Sequence, residues 1–357
     1  MNVGIFTFPN SKSYGATLQM YALYHTVEIL GHTPEIINYQ NSYMKTQLHV
    51  HRRSTLHKCL RKLLHYRMYR DFRKFEKKQM TMYPVASIAD PAKLSALTKR
   101  YDAVICGSDQ VWNPDITGAD LSYFLNFCDD DTKRVAYAPS FGISEFSDEF
   151  SKAIRGDLEK FYALSAREAQ GQTLISSLLG KDVPLVCDPT LLMDSNEWEQ
   201  LEKPHPTAEG AYIFYYVVKS SATLWKQCKT FAKEKGLKIV VVGGSPLKRW
   251  KHNNEDIQYA VDIGPQEWLY LLHHARYVFT NSFHGTAFSI NYHKDFFVEF
   301  SSLTNSRLEQ ITRTLGLCSQ IVEEEPLCDT AVDYSVADQV LPQIRKASLD
   351  YLTDALN

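Results

Sequence analysis

The run Thr280–Phe288 (TNSFHGTAF) follows an apolar segment, 275–280 (ARYVFT), and opens a helical pattern. His284 therefore stands at a strand-to-helix turn. The N–H groups left over at a helix start and the positive end of the helix dipole gather at such turns. An imidazole there is placed to meet an anion and to move protons near neutral pH. Asn281 and Ser282 are helix-start residues, and Gly285 and Thr286 allow close backbone approach. A surface histidine that merely caps the turn is the plain alternative.

Other post-strand segments carry related chemistry. Arg167 lies in SARE, after the apolar FYAL, where a guanidinium suits carboxylate or phosphate recognition. A salt bridge to Glu168 or another acid is the competing reading. Arg307, in NSR after DFFVEF, is a second such cation, with a solvated first-turn arginine as its alternative. The loop Gly107–Pro114 (GSDQVWNP) holds Ser108, Asp109, Gln110, Trp112 and Asn113 together. A carboxylate and amides beside an aromatic face suit polyol binding, whereas a capped turn needs the same Asp and Asn. Ser11–Gln19 (SKSYGATLQ) puts Tyr14, Gly15 and Ala16 at another helix start, a candidate anion or sugar subsite. Gly243–Gly244 after IVVV is a weaker glycine turn. The chain has no nucleotide-phosphate glycine motif, no G-x-S-x-G elbow and no H-E-x-x-H. No His/Asp/Glu set has metal-ligand spacing, and the doublet His273–His274 reads as structural.

The elements that must position these residues alternate. Strands are expected at 3–8, 34–39, 101–106, 133–137, 161–166 and 185–187, and then at 211–218, 237–242, 275–280 and 295–300. Helices are expected near 16–30, 145–158, 170–179, 221–235, 265–274, 284–293, 305–315 and 333–355. Strand–helix–strand order means parallel sheets. The expected fold class is α/β, with two tandem Rossmann-like parallel-sheet domains facing a cleft. The first spans 1–195 with a basic helical insert near 51–80, and the turn-rich stretch 188–206 is read as the linker. The second spans 207–330, and the helix over 333–357 is expected to pack back on the first. In the insert, apolar residues from Leu56 to Phe75 recur every three or four positions. That marks an amphipathic helix or helix pair whose basic face is solvated or meets an anionic-lipid or partner surface.

A chain of 357 residues suits two domains. The net charge of −2 argues against nucleic acid as partner. Seven scattered cysteines without a C-x-x-C pair point to a reducing compartment. No apolar run is long enough for a signal peptide or transmembrane span, so a cytoplasmic location is expected, with peripheral membrane contact left open.

Taken together, these segments resemble the polysaccharide pyruvyl transferase family. The likeness is carried by SYGATLQMYAL (13–23), YDAVICGSDQVWNP (101–114), RVAYAPSFG (134–142), SAREAQG (165–171), VCDPTLLM (186–193), TNSFHGTAFS (280–289) and NSRLEQI (305–311). The resemblance implies a fold like that of the metal-independent B-type glycosyltransferases. It also implies transfer of pyruvate from phosphoenolpyruvate to two hydroxyls of a capsule, exopolysaccharide or cell-surface glycan, free or lipid-linked, as a cyclic ketal. Phosphoenolpyruvate would be the donor substrate, with no metal and no cofactor. His284 matches the family's F-H-G/A histidine, the general acid/base. Arg167 matches the arginine of S-x-R-E/D, and Arg307 the basic residue at the next helix start; both would hold the donor, with Ser282, Gly285 and Thr286 beside it. Tyr14, Gly15, Ser108, Asp109, Gln110, Trp112 and Asn113 would take the acceptor. Many members carry a G-x-x-N-x-G-D type first loop where this chain has NSKSYGA, which leaves the acceptor side open. A nucleotide-sugar glycosyltransferase and a non-catalytic saccharide-binding component of a glycan assembly complex are the competing readings.

Overall fold

The short runs NVGIF, AVIC, KIVVV and YVFT are apolar almost throughout, as strands covered on both faces require. In the computed structural model, which describes residues 1–47, 65–243, 252–300, 306–322, 327 and 331–357, they are the middle of two all-parallel sheets. The first sheet holds β1 (Asn2–Phe6), β2 (Thr33–Tyr39), β3 (Met82–Ile88), β4 (Ala103–Cys106) and β5 (Lys133–Ala136), in the order β3-β2-β1-β4-β5. The second holds β6 (Tyr212–Tyr216), β7 (Lys238–Val242), β8 (Ile257–Ala260), β9 (Tyr277–Thr280) and β10 (Asp295–Val298), in the order β10-β9-β6-β7-β8. Counted from its own first strand, the second sheet repeats the order of the first. The order reverses between β1 and β4 in one sheet and between β6 and β9 in the other. Ligands of such sheets bind beyond the strand carboxyl ends at this reversal.

The chain divides into two units. One comprises Met1–Arg52, Glu76–Leu192 and Gln343–Asn357; the other comprises Arg53–Phe75 and Met193–Pro342. The boundary after Leu192 falls inside the stretch expected to be a linker. That stretch is more ordered than its composition suggests. Asp188 caps the turn Pro189–Leu191, and Asp194 and Glu197 form a capping box on Ser195–Glu199. The helix Ser335–Leu356 begins in the second unit and ends in the first, where Tyr351 donates to the Ala136 carbonyl and Ser348 accepts from Cys187 N–H.

Three expectations are corrected. The edge strands β3 and β8 were not anticipated, because Pro84 interrupts one and both are only partly buried. The segments 161–166 and 185–187 make isolated bridges, Val135 to Ala163 and Ala166 to Leu185, instead of full strands. The described part of the basic segment, the helix Tyr66–Gln79, belongs up to Phe75 with the second unit. Arg67 pairs with Glu267, Met68 N–H donates to Asp262 at 2.7 Å, and Gly264 packs on Asp71. The expected helix over 51–64 lies outside the described residues. No helix among the described residues is long and apolar enough to cross a membrane.

Candidate functional site

In the second unit, β9 ends at Thr280 and the helix Phe283–Asn291 starts three residues later. The Ser282 hydroxyl accepts from Gly285 N–H at 3.3 Å, and Asn281 accepts from Val218 N–H and donates to the Lys219 carbonyl. The two Asn281 bonds tie the β9 turn to the loop after β6, so both strands at the order reversal contribute. His284 sits in the first turn of this nine-residue helix, mostly buried, its ring edge-on to Phe283 at 5.3 Å. The Arg307 guanidinium lies 6.0 Å from the Phe283 ring centroid, at the outer range of a cation–π contact. Tyr216, at the end of β6, neighbours Ser282, and burial pushes its phenol up to about 12. A base, a cation and a helix start therefore share one strand-end corner.

The neighbours Ser282, Gly285 and Thr286, expected to touch the donor, serve the turn itself. The buried Thr286 hydroxyl donates to the Ser282 carbonyl at 3.1 Å. A Cβ on Gly285 would come within 2.3 Å of Thr280 Oγ1, so the glycine is required by the strand behind it. Ser282 is the helix cap. Gly243 has φ +92 in an open turn, and Gly244 lies outside the described residues.

In the first unit, the loop after β4 and the segment after residue 163 meet around Arg167. Its side chain is 2% exposed, with Nη1 donating to Asp188 at 2.8 Å. Asp109 and Glu168 approach at 3.5 Å and 3.7 Å. Burial opposes the charge, but Asp188, Asp109 and Glu168 outweigh it and hold the guanidinium above its ordinary value. Asp188 is itself fixed by Thr190 N–H and hydroxyl, and Ser140 donates to Glu168 at 2.7 Å. The ion pair read as the alternative for Arg167 is present, with Asp188 as its nearest partner. Three carboxylates thus approach the buried guanidinium, with Asp188 nearest. Asp188 had no role assigned from the sequence; its signal is D-P-T, an N-cap followed by proline.

The expected acceptor loop is also mostly self-satisfied. Ser108 is buried and donates to the Ala138 carbonyl, Gln110 accepts from Asn113, and Asn113 caps Pro114–Thr117. Gly107 has φ +122, and a Cβ there would overlap the Tyr137 carbonyl. Trp112 faces the core. It is fully buried, its indole N–H donates to the Tyr123 carbonyl at 2.8 Å, and it stacks on Phe124 at 5.2 Å. Tyr14 and Gly15 are buried in the first turn of Tyr14–Ile29, capped by Ser13. Asp109, at φ +76, remains partly exposed beside Arg167. Trp112→Ala is expected to destabilise the first unit by about 3–5 kcal/mol, measured by urea denaturation. A variant as stable as the parent but weak for glycan would restore the sugar-binding reading.

A family model described as polysaccharide pyruvyl transferase matches residues 14–298. No curated protein matches the chain in sequence. Among solved structures, Anabaena HepE in complex with UDP and glucose aligns with a TM-score of 0.53 and 12% identity, over 99% of this chain and 100% of that one. S. aureus MnaA, solved with UDP, aligns at 0.51 and 12% identity, over 98% and 88%. The UDP-GlcNAc 2-epimerase of Neisseria meningitidis, bound to UDP-GlcNAc, aligns at 0.50 and 12%, over 99% and 100%. These likenesses show the fold, which is that of the B-type glycosyltransferases and related epimerases.

Proposed function

Because the chain belongs to the polysaccharide pyruvyl transferase family, an enzyme family, we propose that its donor is phosphoenolpyruvate and its product a pyruvate ketal on two saccharide hydroxyls. The reaction would take place in the cytoplasm, on a free or lipid-linked glycan. The observation that carries this reading is the corner of the second unit that brings His284, Arg307 and the start of Phe283–Asn291 to the sheet's order reversal.

Phosphoenolpyruvate presents a carboxylate and a phosphate on one small carbon frame. Arg307 and the helix start supply the positive potential such a ligand needs. In the reaction, C3 gains a proton and C2 becomes electrophilic. One acceptor oxygen bonds to C2, phosphate leaves with its bridging oxygen, and the second oxygen closes the ring. Of the two hydroxyl protons released, one balances the proton on C3 and the other leaves with phosphate. His284 is assigned the proton transfers, and Tyr216 helps to fix the Ser282 turn. Arg167 is assigned to positioning the loop after β4.

The test is ligand-dependent thermal stability. At about one hundred times its dissociation constant, a ligand adds about 2.7 kcal/mol. Phosphoenolpyruvate is expected to stabilise the wild type and to lose that effect in Arg307→Ala. Stabilisation by uridine diphosphate alone would overturn the assignment in favour of a nucleotide-sugar transferase. Saccharide binding with no response to either donor would favour a non-catalytic component.

A further inference from the structure

The doublet His273–His274 is set apart from the proposed reaction. It ends the helix Pro265–His273, and the next strand, β9, starts at Tyr277. Arg276 N–H donates to the carbonyl of Tyr212, the first residue of β6. The doublet is therefore at the amino edge of the second sheet. His284 follows the opposite end of β9, about 10 Å of strand away.

A helical repeat would point two adjacent side chains about 100° apart, which is how the sequence reads. His274 is instead the C-cap, and both rings turn to Glu202. His273 Nδ1 is 2.9 Å from Glu202 Oε1, and His274 Nδ1 is 3.7 Å from Oε2. One ligand atom from each of the three residues lies within 4.8 Å of the others. Zinc bonds of about 2.0–2.2 Å in a tetrahedron set donor atoms about 3.4 Å apart, so small side-chain shifts bring the three donors, now within 4.8 Å of one another, onto one ion. The other ring nitrogen of His273 faces Glu199 at 3.7 Å. A carboxylate behind a ligating histidine fixes its tautomer and raises its basicity.

The rings are also held in place. His273 stacks on Tyr292 at 4.3 Å and His274 on Tyr270 at 3.9 Å. Lys294 donates to the His273 carbonyl at 2.7 Å, which directs its ammonium to the backbone. Lys203 N–H to the Gln266 carbonyl and Gln266 Nε2 to the Leu201 carbonyl fix the segment carrying Glu202 against the helix. His274 Nδ1 also lies 3.0 Å from the Tyr270 carbonyl, so coordination there exchanges one hydrogen bond at a partly exposed position.

We infer that Glu202, His273 and His274 form a zinc site, with Glu199 orienting His273 and solvent completing the shell. Two imidazoles and a carboxylate are a donor set that suits zinc. The ion would staple the segment after Ser195–Glu199 to the helix Pro265–His273. Its place at the amino edge of the sheet assigns it to structure and not to the proton transfers at His284.

The test uses the full chain, stripped with a chelator and titrated with zinc chloride against a chromophoric zinc indicator. The wild type is expected to bind one more equivalent than His274→Ala and Glu202→Gln, and zinc is expected to raise its thermal midpoint. Glu199→Gln should weaken that equivalent about 10- to 100-fold without removing it. His274 is partly exposed, so its alanine variant keeps the fold, and circular dichroism checks this. Equal zinc binding by wild type and His274→Ala, or no zinc uptake by the wild type, overturns the site. Neither readout depends on the donor or the acceptor.

Discussion

His284→Ala is expected to lower turnover by a factor on the order of 10²–10⁴, the usual contribution of a positioned general acid/base. Phosphoenolpyruvate binding is expected to survive, because the cation and the helix start remain. The loss therefore falls on kcat, as it does when an interaction is made mainly in the transition state. His284 is largely buried, so His284→Gln is the second variant: it retains bulk and a hydrogen-bonding group but cannot take up a proton near neutral pH. Rapid-quench release of phosphate from phosphoenolpyruvate, with acceptor present, separates chemistry from binding. Wild-type turnover in either variant would remove His284 from the proton transfers. A rise in KM with unchanged kcat would make it a binding residue instead.

The corner that holds His284 was legible because three local signals agree there: an apolar strand, a helix-start pair and small residues. The structure adds the reason for the small residue, since Gly285 is needed against Thr280. Central strands were legible for the same reason that they are central, being apolar on both faces. The edge strands β3 and β8 were not, because Met82–Ile88 and Ile257–Ala260 mix polar and exposed positions and β3 carries Pro84.

In the loop Gly107–Pro114 the place of Trp112 is hidden by the polarity around it. A run of Ser, Asp, Gln and Asn around a tryptophan resembles a sugar platform in one dimension. Positive φ at Gly107 and Asp109 folds the loop so that Trp112 enters the core beneath it. The adjacent Val111, also fully buried, was the signal that could have shown this. The convergence of His273 and His274 on Glu202 is not legible in the sequence, because His274 is the C-cap and departs from the helical repeat. Asp188 was passed over because a D-P-T turn reads as punctuation, while burial makes it the nearest partner of Arg167.

Arg167→Ala carries the second large effect, and it falls on stability. The side chain is almost wholly buried among Asp188, Asp109 and Glu168. Removing the cation leaves carboxylates facing one another in a poorly solvated cage, a change worth about 3–5 kcal/mol. Urea denaturation should show the midpoint fall with an unchanged slope. Neutralising the strongest partner at the same time, in Arg167→Met with Asp188→Asn, should recover part of the loss, because the cost of the single variant is the uncompensated charge. An arginine that grips the donor directly predicts the reverse: a stable Arg167→Ala protein, weak for phosphoenolpyruvate, that gains nothing from Asp188→Asn. The two outcomes separate a residue that builds the loop after β4 from one that contacts substrate. The 2.8 Å pairing of the almost wholly buried guanidinium with Asp188 favours the first.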